Sequence, residues 1–201
     1  MTANDSTTIA SPFIQLLSSK EILRLELLRR ILLEVHRELS TLRTALANAI
    51  HGMSTDAFAR HLPGKWSSAE ILDHLNLTYL GTIKNFERCL ASGKSGANPD
   101  RKTKRWQRRI ITLLGWFPSG RKSPERVLPR GTPLPQLLAE IFESITRMDG
   151  LIAECDKRFG QGEPLADHPV LGPLTAYEWR KFHLVHGQHH VRQILRLRNM
   201  S

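Results

Sequence analysis

Four of the nine histidines fall within eight residues: His183, His186, His189 and His190. On a helix, residues four apart lie one turn above each other. His186 and His190 can therefore aim their imidazoles at one point, whereas His189 points about a quarter-turn away. Such a pair is a clamp for a divalent cation. The same face carries Trp179, Ile194 and Leu197, an apolar stripe that turns the clamp inwards. Two imidazoles rarely hold a cation tightly, and a catalytic site usually has three protein ligands plus open positions. His74, one turn after Ile71 and beside Leu75, is the candidate third ligand. Three neutral histidines on two facing helices would leave the ion its full charge, able to acidify a bound water or thiol. The competing reading of the same spacing is a solvated or hydrogen-bonded histidine pair.

Other chemistry is sparse. Nothing resembles a Ser-His-Asp arrangement, a phosphate-binding glycine loop or a pair of catalytic carboxylates, so the three histidines are assigned as metal ligands and no catalytic residue is assigned. Cys89 and Cys155 are far apart and in helical contexts, which gives no disulfide framework or cysteine zinc site and reads as small core residues. Tyr177, Asp73, Glu178 and Gln193 neighbour the proposed ligands and are candidates to orient an imidazole. Glu178 reads rather as a helix-capping acid. Asp73 reads as a surface residue in the first turns of a helix, where negative charge suits the dipole.

Four long helical stretches position these residues, and no strand is evident. The first, from about Ser18 to Ile50, repeats Ile22, Leu25, Leu28 or Arg29, Leu32, Val35, Leu39, Leu42 and Leu46 every three or four residues. The second opens at Trp66-Ser67-Ser68-Ala69-Glu70-Ile71, with Ser67 and Glu70 as a capping box and Trp66 and Ile71 as a hydrophobic staple; it stops at Ser92-Gly93. The third starts after Thr132-Pro133, read as a cap followed by a first-turn proline, and runs towards Gly160. The fourth repeats the second's device: Thr175 and Glu178 form the box, Leu174 and Trp179 the staple. The connection from Gly93 to Gly131 has room for a short amphipathic helix with Trp106, Ile110, Leu113 or Leu114 and Phe117 on one side. Four long helices and a long crossover between the second and third imply an all-α four-helix bundle.

A chain of 201 residues with 40% apolar and 24% charged residues suits one globular domain and excludes a disordered or collagen-like chain. We expect a flexible segment at 1–17 and a single domain at 18–201. No run reaches the roughly 18–20 apolar residues of a membrane span. The polar N-terminus has no basic region before an apolar run, so the expected compartment is the cytoplasm. The net charge of +10 is local: between Arg101 and Arg130 ten basic residues face Glu125 alone. That weakens the inference that the whole protein binds nucleic acid.

Trp66-Ser67-Ser68-Ala69-Glu70-Ile71-Leu72-Asp73-His74-Leu75, followed about a hundred residues later by Trp179-Arg180-Lys181-Phe182-His183-Leu184-Val185-His186-Gly187-Gln188-His189-His190, resembles the paired signatures of the DinB-like superfamily of small metalloproteins. The resemblance spans roughly Ile22 to Leu197. It implies an up-down-down-up bundle, often dimeric, with a divalent metal on three histidines, which by position are His74, His186 and His190. Members with known activity are mostly thiol-dependent, S-transferases and a maleylpyruvate isomerase among them. The strongly basic crossover departs from the ordinary pattern.

The first functional hypothesis is thus a metal-dependent enzyme that activates a low-molecular-weight thiol or water for transfer or hydrolysis. Zinc or nickel is the expected metal, with iron or manganese also compatible with three imidazoles. The alternative is a non-catalytic basic module whose 101–130 segment, with Trp106, Trp116 and Phe117 among its arginines, meets nucleic acid or an anionic membrane surface.

Overall fold

The computed structural model describes residues 18–98 and 123–200. Among these residues five helices and one hairpin follow in the order α1 (Ser19–Ile50), α2 (Thr55–Ala59), α3 (Ser68–Ser92), α4 (Leu134–Phe159), β1 (Pro164–His168), β2 (Gly172–Thr175) and α5 (Ala176–Arg198), with a single 3-10 turn at Glu125–Val127 ahead of α4. The protein is mostly helical. None of the described helices is long and apolar enough to cross a membrane. The short helix expected around Trp106 to Phe117, and the basic residues at 101–122, lie outside the described residues.

The chain divides into two units, residues 1–34 and 35–201. In the first, the described part is the opening of α1, where Leu23 and Leu27 are exposed. In the second, α1 contributes Leu39, Leu42 and Leu46 to a core shared with Ile71, Leu75 and Phe86 of α3, Ile141 and Met148 of α4 and Trp179 and Ile194 of α5. Fully burying each such side chain contributes about 1.5–3 kcal/mol.

Both histidine-bearing helices begin with the expected capping boxes. Glu70 N–H donates to Ser67 Oγ at 3.2 Å and Ser67 N–H donates to Glu70 Oε2 at 2.8 Å. The corresponding bonds between Glu178 and Thr175 are 3.3 and 3.1 Å. Each box satisfies two amide donors that a helix start otherwise leaves open. The start of α4 differs from expectation. Pro133 is its N-cap, no side chain caps it, and a proline, Pro135, stands in its first turn. The Thr132 hydroxyl does not accept from the helix start as a cap would; it donates to Asp73 Oδ1 at 3.0 Å, a charged and therefore strong acceptor.

The reading that no strand is present is corrected by the antiparallel pair β1–β2, with Ala166 opposite Leu174 and His168 opposite Gly172. His168 Nδ1 accepts from the Val170 and Leu171 amides at 3.2 and 3.1 Å and closes the turn between them. Gly96 N–H donates to Leu165 O at 2.9 Å, fastening the start of the crossover to β1. Trp179 Nε1–H donates to Ala166 O at 3.3 Å. The last residue of β2, Thr175, is also the cap of α5, so the hairpin aims the helix that carries the histidine cluster. Buried Arg180 and Asp149 tie α5 to α4 through an Nε–Oδ1 contact of 2.5 Å.

Candidate metal site

Three imidazoles from two helices meet in the interior. His74 lies in the second turn of α3; His186 and His190 lie one turn apart in α5, where every residue from Phe182 to Gly187 is buried. His74 Nε2 is 3.1 Å from His186 Nε2, and His190 Nε2 is also 3.1 Å from His186 Nε2. The ligand atoms of all three lie within 4.8 Å of one another, and among the described residues no other His, Cys, Asp or Glu cluster of this kind occurs.

Their outer nitrogens determine which way the lone pairs face. His74 Nδ1 is 2.7 Å from the Val127 carbonyl oxygen, which can only accept, so Nδ1 carries the proton and Nε2 presents a lone pair. His190 Nδ1 donates to Gln193 Oε1 at 2.7 Å, with the same result. When the triad is neutral, three inward nitrogens share at most the one proton of His186, too few to pair all their lone pairs. A cation resolves that conflict. Nitrogens at about 2.0–2.1 Å from a first-row ion are spaced about 3.0–3.4 Å from each other, which the two 3.1 Å separations match. The residues present fit a divalent ion.

Burial keeps the ligands neutral. It holds the His190 imidazole down at about 3, helped by His74 and His189 beside it, against the opposing bond to Gln193. Burial likewise holds His186 well below the ordinary histidine value, with His190 and His74 adding to the effect. His74 is lowered by burial while its Val127 bond pulls the other way. Aromatic rings wall the cluster. Trp66 lies 4.9 Å from the His74 ring and 6.5 Å from His190, and Phe182 stacks on His186 at 5.4 Å. The residue before the α3 cap thus packs against both the core and the site.

The neighbours read from sequence separate into distinct roles. Gln193 orients His190. Glu178 is the capping acid, and Tyr177 stands in the first turn of α5, over two turns before His186. His189 stays outside the triad, its ring 5.2 Å from that of His190. His183 is fully buried and faces α3, its Nε2 3.1 Å from Thr82 Oγ1; burial, and His168 after it, hold it down at about 3. Cys89 and Cys155 are both buried, and burial raises their thiols, Cys155 to about 12.

One expectation is overturned. Asp73 is not on the surface: it is 2% exposed, and its carboxylate accepts from the Arg130, Gly131 and Thr132 amides at 2.7, 3.0 and 3.2 Å as well as from the Thr132 hydroxyl. The Val127 carbonyl was not legible either, since a backbone acceptor 53 residues from its histidine leaves no mark in side-chain pattern.

Searches of curated proteins and of solved structures find no match to this chain. A family model, described as the DinB superfamily, matches residues 38–194, a span that takes in His74, His186, His190, Gln193 and both capping boxes. The match covers most of the chain, and with the signatures around Trp66 and Trp179 it identifies the protein as a member of the DinB superfamily.

Proposed function

We propose that the protein is a metal-dependent enzyme in which His74, His186 and His190 hold a divalent ion and the activated group is a low-molecular-weight thiol or water, for transfer or hydrolysis. The observation that carries this reading is the convergence of three buried Nε2 atoms, two of them held as acceptors by Val127 and Gln193. When bound, an ion on neutral imidazoles supplies Lewis acidity that favours thiolate over thiol, or hydroxide over water, at neutral pH.

The chain's own residues do the rest. Burial keeps the imidazoles unprotonated, so metal binding at neutral pH need not displace protons from them. Trp66 and Phe182 restrict the approach of water and give an apolar flank to an incoming group. No Cys, Asp or Glu joins the three histidines among the described residues, which agrees with a nucleophile brought in by the substrate. Zinc or nickel is our first choice of ion, with iron or manganese next. In the same reading the four long helices form an up-down-down-up bundle with the basic connection between the second and third, and two copies pair as a homodimer.

Metal analysis of protein purified without a nickel column tests the site: one equivalent in the wild type and none in His186→Ala is the expected result. A screen of metal-loaded protein with small thiols and a generic electrophile tests the chemistry, with turnover lost in His190→Ala. Silence with every thiol and in hydrolytic assays, together with salt-sensitive binding of nucleic acid or anionic vesicles through residues 101–130, would replace the enzyme by the basic module.

A further inference from the structure

Asp73 and His74 are consecutive on α3, and both meet the chain as it returns from the crossover. Asp73 takes four hydrogen bonds from Arg130, Gly131 and Thr132. His74 Nδ1 donates to Val127 O, three residues earlier. We propose that Asp73 is a positioning residue for the candidate metal site: by holding the backbone at 130–132 it keeps the Val127 carbonyl on His74 Nδ1, and so keeps the His74 lone pair directed at the other two imidazoles.

Burying a carboxylate is costly unless its oxygens are matched by donors. Asp73 meets that condition entirely with groups from one three-residue stretch, three of them backbone amides. Such bonds fix the chain's path, not only a side chain. The turn that carries Val127 is itself tied to the residues before it. Val127 N–H donates to Pro124 O at 3.0 Å, Leu128 N–H donates to Glu125 O at 3.1 Å, and Arg130 Nη2 returns to Arg126 O at 3.1 Å. The carbonyl of Val127 is thus linked to the residues Asp73 grips by a connection of two residues and by the Arg130 side chain on Arg126 O. Asparagine has nearly the same shape but offers one acceptor oxygen and turns an NH2 donor towards groups that are themselves donors. The carboxylate's need is specific.

This inference rests on the metal reading for its purpose, yet its core can be examined without an ion. Full-length protein labelled with nitrogen-15 at histidine is compared as wild type, Asp73→Asn and Thr132→Val, with circular dichroism recorded on each. In metal-free wild type, His74 should show a protonated Nδ1 and a bare Nε2. Asp73→Asn should lose that fixed tautomer, exchange the Nδ1 proton about tenfold faster or more, and bind Zn2+ about tenfold to a hundredfold more weakly. His183, bonded to Thr82, should keep its spectrum, which separates a local effect from general loosening. Thr132→Val deletes one of the four bonds and leaves the carboxylate; a smaller shift in the same direction is expected, and this variant decides the matter if Asp73→Asn loses its helical spectrum. A wild-type His74 tautomer and exchange rate in the folded variants would overturn the proposal. Wild type that binds no Zn2+ while the tautomer responds to Asp73→Asn would instead overturn the metal reading and leave Asp73's hold on His74 standing.

Discussion

Leu42 of α1 lies against the α-carbon of Gly187 of α5, so closely that a methyl group built there would come within 2.5 Å of Leu42 Cδ2 and 2.8 Å of Cδ1. Gly187 directly follows His186, in the turn between the two α5 histidines. Gly187 is buried on the face of the helix that meets α1, and only a residue without a side chain lets α1 approach so closely.

Gly187→Ala sets two effects against each other. Helix propensity favours alanine by about 0.8–1 kcal/mol. Overpacking against a fully buried leucine costs about 1–3 kcal/mol, and more where nothing can move. We expect net destabilisation of about 1–2 kcal/mol by urea unfolding, relieved in part in the Leu42→Ala background. A stabilised Gly187→Ala protein would show that α1 does not pack here.

Asp149 and Arg180 form a buried pair between α4 and α5, with Arg180 also donating to the Asp149 carbonyl at 3.3 Å. Removing one partner leaves a desolvated charge, so Asp149→Ala should cost about 3–5 kcal/mol. Asp149→Leu combined with Arg180→Met should recover most of that loss. Equal losses in the single and double variants would refute the burial argument.

Acid should destabilise the metal-free protein well before its carboxylates titrate. His183 and His190 are held at about 3, against about 6.5 in an unfolded chain. Between those values the unfolded state binds the extra protons, so stability falls as pH falls, by about 1.4 kcal/mol per pH unit for each group. Asp156, whose carboxyl is raised mainly by burial, acts in the opposite sense above its ordinary value. Urea midpoints at pH 7, 6 and 5 for wild type and His183→Gln separate these contributions: the variant should show the shallower slope, and parallel slopes would mean that His183 is not buried as a neutral ring.

Gln193 holds His190 by a neutral amide. Gln193→Leu should weaken metal binding about tenfold. Gln193→Glu keeps the acceptor, makes it charged and should bind at least as tightly as wild type. Unchanged affinity in Gln193→Leu would mean that His190 needs no orientation.

Ser67→Ala should cost about 1 kcal/mol through loss of the α3 cap. Trp66 precedes that cap and touches His74, so its fluorescence should change with the same substitution. An unchanged melting temperature and spectrum would mean that α3 is held by packing alone.

What could be read from sequence was what acts over one or two helical turns. Ser67 with Glu70, Thr175 with Glu178, and His186 with His190 each interact with a residue three or four positions away, so spacing alone carries their geometry. His74 was reachable by its place on the inner face of α3 and by the resemblance of its surroundings. Features that join distant segments left no comparable mark. The five-residue α2 is too short to show a period. The β1–β2 pair is short, rich in proline and glycine, and held by contacts from Gly96 and Trp179 outside it. Asp73 and Thr132 each had a plausible local role, as a dipole-side acid and as a helix cap, and each lost it to the other across 59 residues. That choice belongs to tertiary structure, because burying the Asp73 carboxylate requires several donors at once, and only the returning crossover brings three amides and a hydroxyl to it.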